Sequence, residues 1–219
     1  YGSASAPIAA YMVGDTQLLF IARHGRQHNI PPDKVNYRAN LYSLHQAGVK
    51  DVIAVNAVGA MTDGYEPGVL AVPDQLIDYT WGREQSFSDG GDFGLQHIEF
   101  THPFAGPLRR RVLEAARAWS VPVLDGGCIG VVQGPRLETD AQIHRLQRDG
   151  SDIVGMTSMP EASLARELGM DYASICPIAN WAAGISDQAI TMEAIQETIR
   201  DSVRQARTVI EHLCRNPAD

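Results

Sequence analysis

The sequence predicts an α/β fold: a central mixed β-sheet flanked by helices, in one domain spanning residues 1–219. Short continuous runs rich in Val, Ile and Leu alternate with longer stretches of helical period along most of the chain. Runs of that kind are strands buried on both faces, and such strands need helices on either side of the sheet. No internal repeat, low-complexity tract or Pro/Gly/Ser-rich linker breaks the pattern, and 219 residues suffice for one substantial core.

In chain order, "QLLFIA" (17–22) reads as a buried strand and is followed by a helix over 34–48, which Pro31 and Pro32 introduce by stiffening the turn. "DVIAVNAVG" (51–59) and "GVLAVPDQLI" (68–77) read as strands. The stretch from Thr80 to Pro107 has no clear period, and segments of that length in a compact domain are lids or interface pieces. A helix over 107–119 precedes "IGVVQ" (129–133), a helix over 138–149, "DIVGM" (152–156), a helix over 160–168 and "YASICPIA" (172–179). A long amphipathic helix from 191 to 214 closes the series.

Composition narrows the function classes. A formal charge of −8 argues against a nucleic-acid surface, because phosphate backbones are held by clustered Lys and Arg. No apolar run approaches the roughly 18 residues of a membrane span, so neither nucleic acid nor membrane is expected as a partner. Cys128, Cys176 and Cys214 are odd in number and lack metal-type spacing, which fits a reduced, cytoplasmic setting. The opening "YGSASAPIAAYMVGDTQ" has neither the charged start nor the apolar core of a signal peptide.

Each strand run ends in something polar: Arg23-His24-Gly25-Arg26, Asn56-Ala57, Gly134-Pro135-Arg136, Thr157, and Asn180-Trp181. In α/β sheets ligands collect at the carboxyl ends of strands. A guanidinium, imidazoles, a hydroxyl and backbone N–H groups of small residues are the equipment for one small oxyanion. Asn180 and Trp181 add an amide and an aromatic face for a flat polar ligand. Singly, each has a plainer reading. The Arg-His pair suits a solvated turn or an ion pair, Thr157 or Ser158 an N-cap, Arg136 a structural tie, and Met156 and Met192 gap-fillers. Convergence at one sheet edge favours a site, with Arg26 and His28 buttressing the loop.

Beyond these readings, "RHGRQHNIPPDKVNYRANLYSL" closely resembles the phosphate loop and following helix of the 5′-methylthioadenosine enzymes of the trimeric purine nucleoside phosphorylase family. "VNAVGAM", "PGVLAVPDQLIDYT", "QSFSDG", "VVQGPRLET", "DIVGMTSMPEASLARELGMDYASI" and "ITMEAI" continue the match in the family's order. The resemblance implies phosphorolysis, in which inorganic phosphate displaces a purine at C1′, with no metal or organic cofactor. It implies phosphate binding by Arg23, His24, Asn56, Ala57 and Thr157, although Asn56 stands where that subfamily usually has threonine. It places Met156 against the ribose, Leu137 against the base, and His97 in the neighbouring subunit's site of a homotrimer.

Substrate choice follows from two departures. Asn180 stands where the methylthioadenosine enzymes have aspartate, and its amide can donate to O6 of a 6-oxopurine while its carbonyl accepts from a protonated N7. Asn180 is thus the expected catalytic residue. The 5′ pocket offers Ile190 and Met192, whose apolar lining suits a methylthio group over a hydroxyl. Together these imply S-methyl-5′-thioinosine, or methylthioadenosine, and "IANWAAGIS…ITM" resembles the bacterial phosphorylases for the former. Inosine or guanosine phosphorolysis is the alternative within the same chemistry. The family's opening strand and glycine-rich loop are not matched here, so the expected fold lacks that N-terminal strand. A second alternative is therefore an impaired homologue that binds flat aromatic molecules.

Overall fold

The computed structural model describes all residues but 89, 92, 188, 189, 218 and 219. Residue 89 of "QSFSDG" therefore lies outside the described residues. β1 (Ala9–Val13) and β2 (Thr16–Phe20) form an antiparallel hairpin whose two-residue loop begins at Gly14, with φ 61°. This corrects the expectation of a buried strand at 17–22. Among the described residues β2 pairs only with β1, and Phe20 is exposed. A mostly apolar run alone does not distinguish a core strand from a hairpin laid against the domain.

The main sheet is mixed and runs in the order β6-β8-β9-β4-β10-β5-β7, with β3 beside β10. These strands are β3 (Asp51–Val55), β4 (Val58–Ala60), β5 (Leu70–Val72), β6 (Gln75–Asp78), β7 (Val123–Asp125), β8 (Cys128–Val131), β9 (Ile153–Gly155) and β10 (Asp171–Trp181). β10 is the spine: its first half pairs parallel with β3 and its last residues pair parallel with β4. The β3–β4 line breaks at Asn56-Ala57, opposite the middle of β10, where Cys176 and Pro177 pair with β5. Pro177 has no N–H for a ladder, so a break in pairing falls naturally there.

The residues of β10 alternate between two cores. Tyr172, Cys176 and Ile178 pack with α1 (Tyr37–Gln46) and α4 (Ser158–Glu167) on one face. Ala173 and Ile175 pack with α2 (Pro107–Ala118) and α5 (Met192–Arg215) on the other. α3 (Asp140–Arg148) covers a third cluster through Ile143 and Leu146, and its start carries a capping box between Thr139 and Gln142. Each fully buried Ile, such as Ile153, Ile175 or Ile178, contributes about 1.5–3 kcal/mol from leaving water.

The aperiodic segment forms no helix or strand among its described residues. It is held down by buried Phe87, by Glu167 accepting from Ser86 Oγ and Phe87 N, and by Arg166 donating to the carbonyls of Glu99, His102 and Pro103. Away from β10, the outer edge of β3 carries no strand among the described residues. A cleft of about 830 Å³ runs there between β2 and β3, reaching Arg23 and His24 at one end. No helix of the described residues is long and apolar enough to cross a membrane.

Candidate active site

A cavity of about 570 Å³ opens where β3, β8, β9 and β10 end. Its wall contains Arg23, His24, Asn56, Ala57, Leu137, Met156, Thr157, Asn180, Ile190 and Met192. The sheet thus brings together ten of the residues singled out from sequence, contributed by six separate parts of the chain.

Arg23 follows β2 and turns inward. Its Nε and Nη2 donate to the two carboxylate oxygens of Glu161 at 2.6 and 2.7 Å, and Tyr172 Oη donates to the same carboxylate at 2.9 Å. Burial alone would lower the pKa of Arg23, but the charge and hydrogen bonds of Glu161 more than reverse this, so the guanidinium stays cationic. The plainer reading of Arg23 as half of an ion pair is therefore met, with Nη1 left over for a ligand. His24 Nδ1 lies 2.8 Å from Ile30 O. A carbonyl can only accept, so Nδ1 carries the proton and Nε2 is the acceptor of the neutral ring. Desolvation, aided by the charges of Arg23 and His28, holds its pKa below 6.5 against the opposing Ile30 and Glu161 contributions.

Asn56 is almost wholly buried and its amide is in use. Nδ2 donates to Ser158 Oγ and Ser174 Oγ, and Oδ1 accepts from Thr157 Oγ1 at 3.1 Å. Thr157 occupies the N-cap position of α4 but makes no side-chain cap bond, because its hydroxyl is turned to Asn56. Ala57 is exposed at the strand break.

On the far side, the chain leaves β8 through Gly134, at φ 61°, into Leu137 and Glu138. A side chain at Gly134 would be strained at that φ and would displace the Met156 thioether, whose Sδ lies 2.5 Å from where a Cβ would stand. Asn180 Nδ2 donates to Trp181 O at 2.7 Å, leaving its carbonyl and second N–H for a ligand. Ile190 and Met192 sit at the start of α5, where Thr191 caps the helix by accepting from Ala194 N.

Two of the sequence expectations are not brought to this cavity. Trp181 lies past an irregularity in β10 between Ile178 and Asn180, is absent from the cavity wall, and packs on the core cluster that also holds Cys176 and Ile178. His97 is exposed, away from the cavity of its own chain. Arg26 is exposed and makes no hydrogen bond or ion pair among the described residues, so it does not buttress the loop there. His28 does, its ring lying against that of His24 at 4.8 Å and tilted by 41°.

Sequence reasoning missed two carboxylates. Glu161 lies in the first turn of α4, five positions from Met156, within a motif read only as a helix entry. Glu138 lines the cavity beside Leu137, its Oε1 is buried without a hydrogen-bond partner, and burial raises its pKa. Its signal was a carboxylate three positions past Pro135, after Arg136 and Leu137.

The sequence model of the phosphorylase superfamily matches residues 4–215. A probable S-methyl-5′-thioinosine phosphorylase of Xanthomonas campestris is 50% identical over 216 residues, covering 98% of this chain and 86% of the relative. The 6-oxopurine nucleoside phosphorylase of Pyrococcus furiosus is 40% identical over 198 residues, covering 88% of this chain and 75% of its own. Among solved structures, a methylthioadenosine phosphorylase from Schistosoma mansoni in complex with adenine superposes with TM-score 0.92 at 31% identity, covering 97% of this chain and 82% of that one. The chain belongs to the phosphorylase superfamily and is an enzyme of the pentosyltransferase type.

Proposed function

We propose that the chain catalyses phosphorolysis of S-methyl-5′-thioinosine to hypoxanthine and 5-methylthioribose 1-phosphate, in purine and methionine salvage. The observation that carries the choice of base is Glu138. A buried carboxylate oxygen without a partner is costly, and a ligand that donates a hydrogen bond to it relieves the cost. A 6-oxopurine has an N1–H to offer, whereas N1 of adenine has no hydrogen and would meet the carboxylate lone pair to lone pair. Asn180 supports the same base, donating to O6 or accepting from a protonated N7. Ile190 and Met192 add apolar surface suited to a methylthio group.

In this reading inorganic phosphate is the co-substrate and no organic cofactor takes part. Phosphate is met by Arg23 donating through Nη1, by His24, whose Nε2 accepts the proton of hydrogen phosphate, and by the backbone at Ala57 and Thr157, while the Thr157 hydroxyl hydrogen is committed to Asn56, whose own amide is likewise spent. A phosphate oxygen bonds to C1′ as the C1′–N9 bond breaks. The electron pair of that bond passes to the purine, where Asn180 and Glu138 stabilise the leaving base. Fixed donors and positioning supply the rate, since phosphate itself is the nucleophile.

The reading extends to a homotrimer of single-domain subunits in which His97 completes a neighbour's site. Its support is that His97 is exposed and outside its own chain's cavity. Sedimentation equilibrium tests the assembly. A cytoplasmic setting is supported by the three free cysteines. The activity is tested by mixing protein, phosphate and S-methyl-5′-thioinosine and following hypoxanthine release by ultraviolet absorbance. Release that requires phosphate is expected, and release independent of phosphate contradicts the reading.

A further inference from the structure

Arg83 comes from the aperiodic segment and lies behind the cavity rather than in its wall. Its Nη1 donates to Met159 O at 2.6 Å, Met156 O at 2.9 Å and Tyr37 Oη at 3.3 Å. Nη2 donates to Gln133 O at 2.8 Å and Val132 O at 3.4 Å. No carboxylate lies within ion-pair distance of it among the described residues, and its buried Nε makes no hydrogen bond. A cation in this setting is held by carbonyl dipoles and by the Tyr37 ring, 5.5 Å from its Cζ.

The carbonyls it gathers belong to two loops that are distant in sequence. Gln133 leads through Gly134 to Leu137 and Glu138, and Met156 leads into Thr157. The two loops meet where Val132 N donates to Gly155 O and where Met156 Sδ packs on Gly134. Arg83 closes the same seam from behind. Its planar fork reaches both loops at once, one nitrogen to each, which the single ammonium of a lysine cannot reproduce.

We propose that Arg83 is a positioning residue that sets the nucleoside-binding half of the site by locking the Gln133 and Met156 loops in register. It touches no substrate. The phosphate-binding half depends chiefly on the Arg23 loop, Asn56 and Ala57, none of which it contacts, and only Thr157 adjoins a residue that it holds, so its loss acts more on nucleoside than on phosphate. This rests on the reading of the cavity as a nucleoside site.

The test compares Arg83→Met and Arg83→Lys with the parent chain, after circular dichroism establishes that each is folded. For Arg83→Met, KM for S-methyl-5′-thioinosine should rise about 10-fold or more while KM for phosphate stays within about two-fold. Arg83→Lys should recover part of the loss. Hydrogen exchange should show faster exchange in residues 133–137 and 155–157 in Arg83→Met, with the Arg23 loop unchanged. Equal change in both KM values, or accelerated exchange with an unchanged nucleoside KM, overturns the positioning role. If the parent chain turns over no nucleoside, the functional reading fails on its own. Exchange still decides the clamp: faster exchange confined to the two loops supports it, and unchanged exchange overturns it.

Discussion

Arg23 and Glu161, 138 positions apart in sequence, meet as a bidentate pair with separations of 2.6 and 2.7 Å, and both side chains are largely withdrawn from water. The pair fixes the guanidinium that faces the cavity. It also leaves that region with one cation balanced by one anion. In the proposed reading, phosphate selection therefore depends on directed N–H groups more than on net charge.

Glu161→Gln puts an NH₂ group against a guanidinium nitrogen and strips a buried cation of its partner. Breaking a buried pair in this way costs about 3–5 kcal/mol. Urea denaturation should show a loss of that size, whereas replacing both partners by apolar residues should recover much of it. An unchanged midpoint for Glu161→Gln would contradict the structural role of the pair.

His24 is predicted to report phosphate. Its folded pKa lies below 6.5, so as pH falls the unfolded chain takes up its proton first. Its contribution to stability is whole above about pH 6.5 and is lost as pH falls through the folded value. A bound anion beside Nε2 favours the imidazolium and raises that value. An NMR titration of the His24 ring should show a midpoint below 6.5 in the free protein, moving up on saturation with phosphate. A midpoint that ignores phosphate would remove His24 from the site.

Glu138 and Asn180 should carry base selection. Glu138→Gln removes the negative acceptor for N1–H, and Asn180→Asp removes the donor to O6. Each should shift the kcat/KM ratio of S-methyl-5′-thioinosine to methylthioadenosine toward the aminopurine by about 10–100-fold, in line with the loss of one specific polar contact. Equal falls for both substrates would mean that neither residue reads the base.

Much of this was legible in the sequence because apolar runs and polar strand ends are local signals. The helix read at 107–119 spans Pro107–Ala118, and the strand read at 172–179 extends to Asp171–Trp181. The run at 51–59 was read as one strand, but Asn56 leaves the ladder to bond Thr157, Ser158 and Ser174, so the run splits. β1 and β7 were not anticipated; β7 is only three residues long, too short for a period to show. The cavity was predicted from strand ends and assembled there. Trp181 is absent from the cavity because β10 shifts register between Ile178 and Asn180 and turns it onto the core that holds Ile178, a break the sequence does not show. Arg83 and Glu161 could not be found locally, since their partners lie tens of residues away in sequence.

The most direct test of the central claim is a side-by-side measurement of phosphate-dependent kcat/KM for S-methyl-5′-thioinosine, methylthioadenosine and inosine. The buried carboxylate of Glu138 and the apolar 5′ lining predict S-methyl-5′-thioinosine first, by about 10-fold or more over each of the others. Equal or faster turnover of methylthioadenosine would contradict the role of Glu138. Equal or faster turnover of inosine would contradict that of Ile190 and Met192.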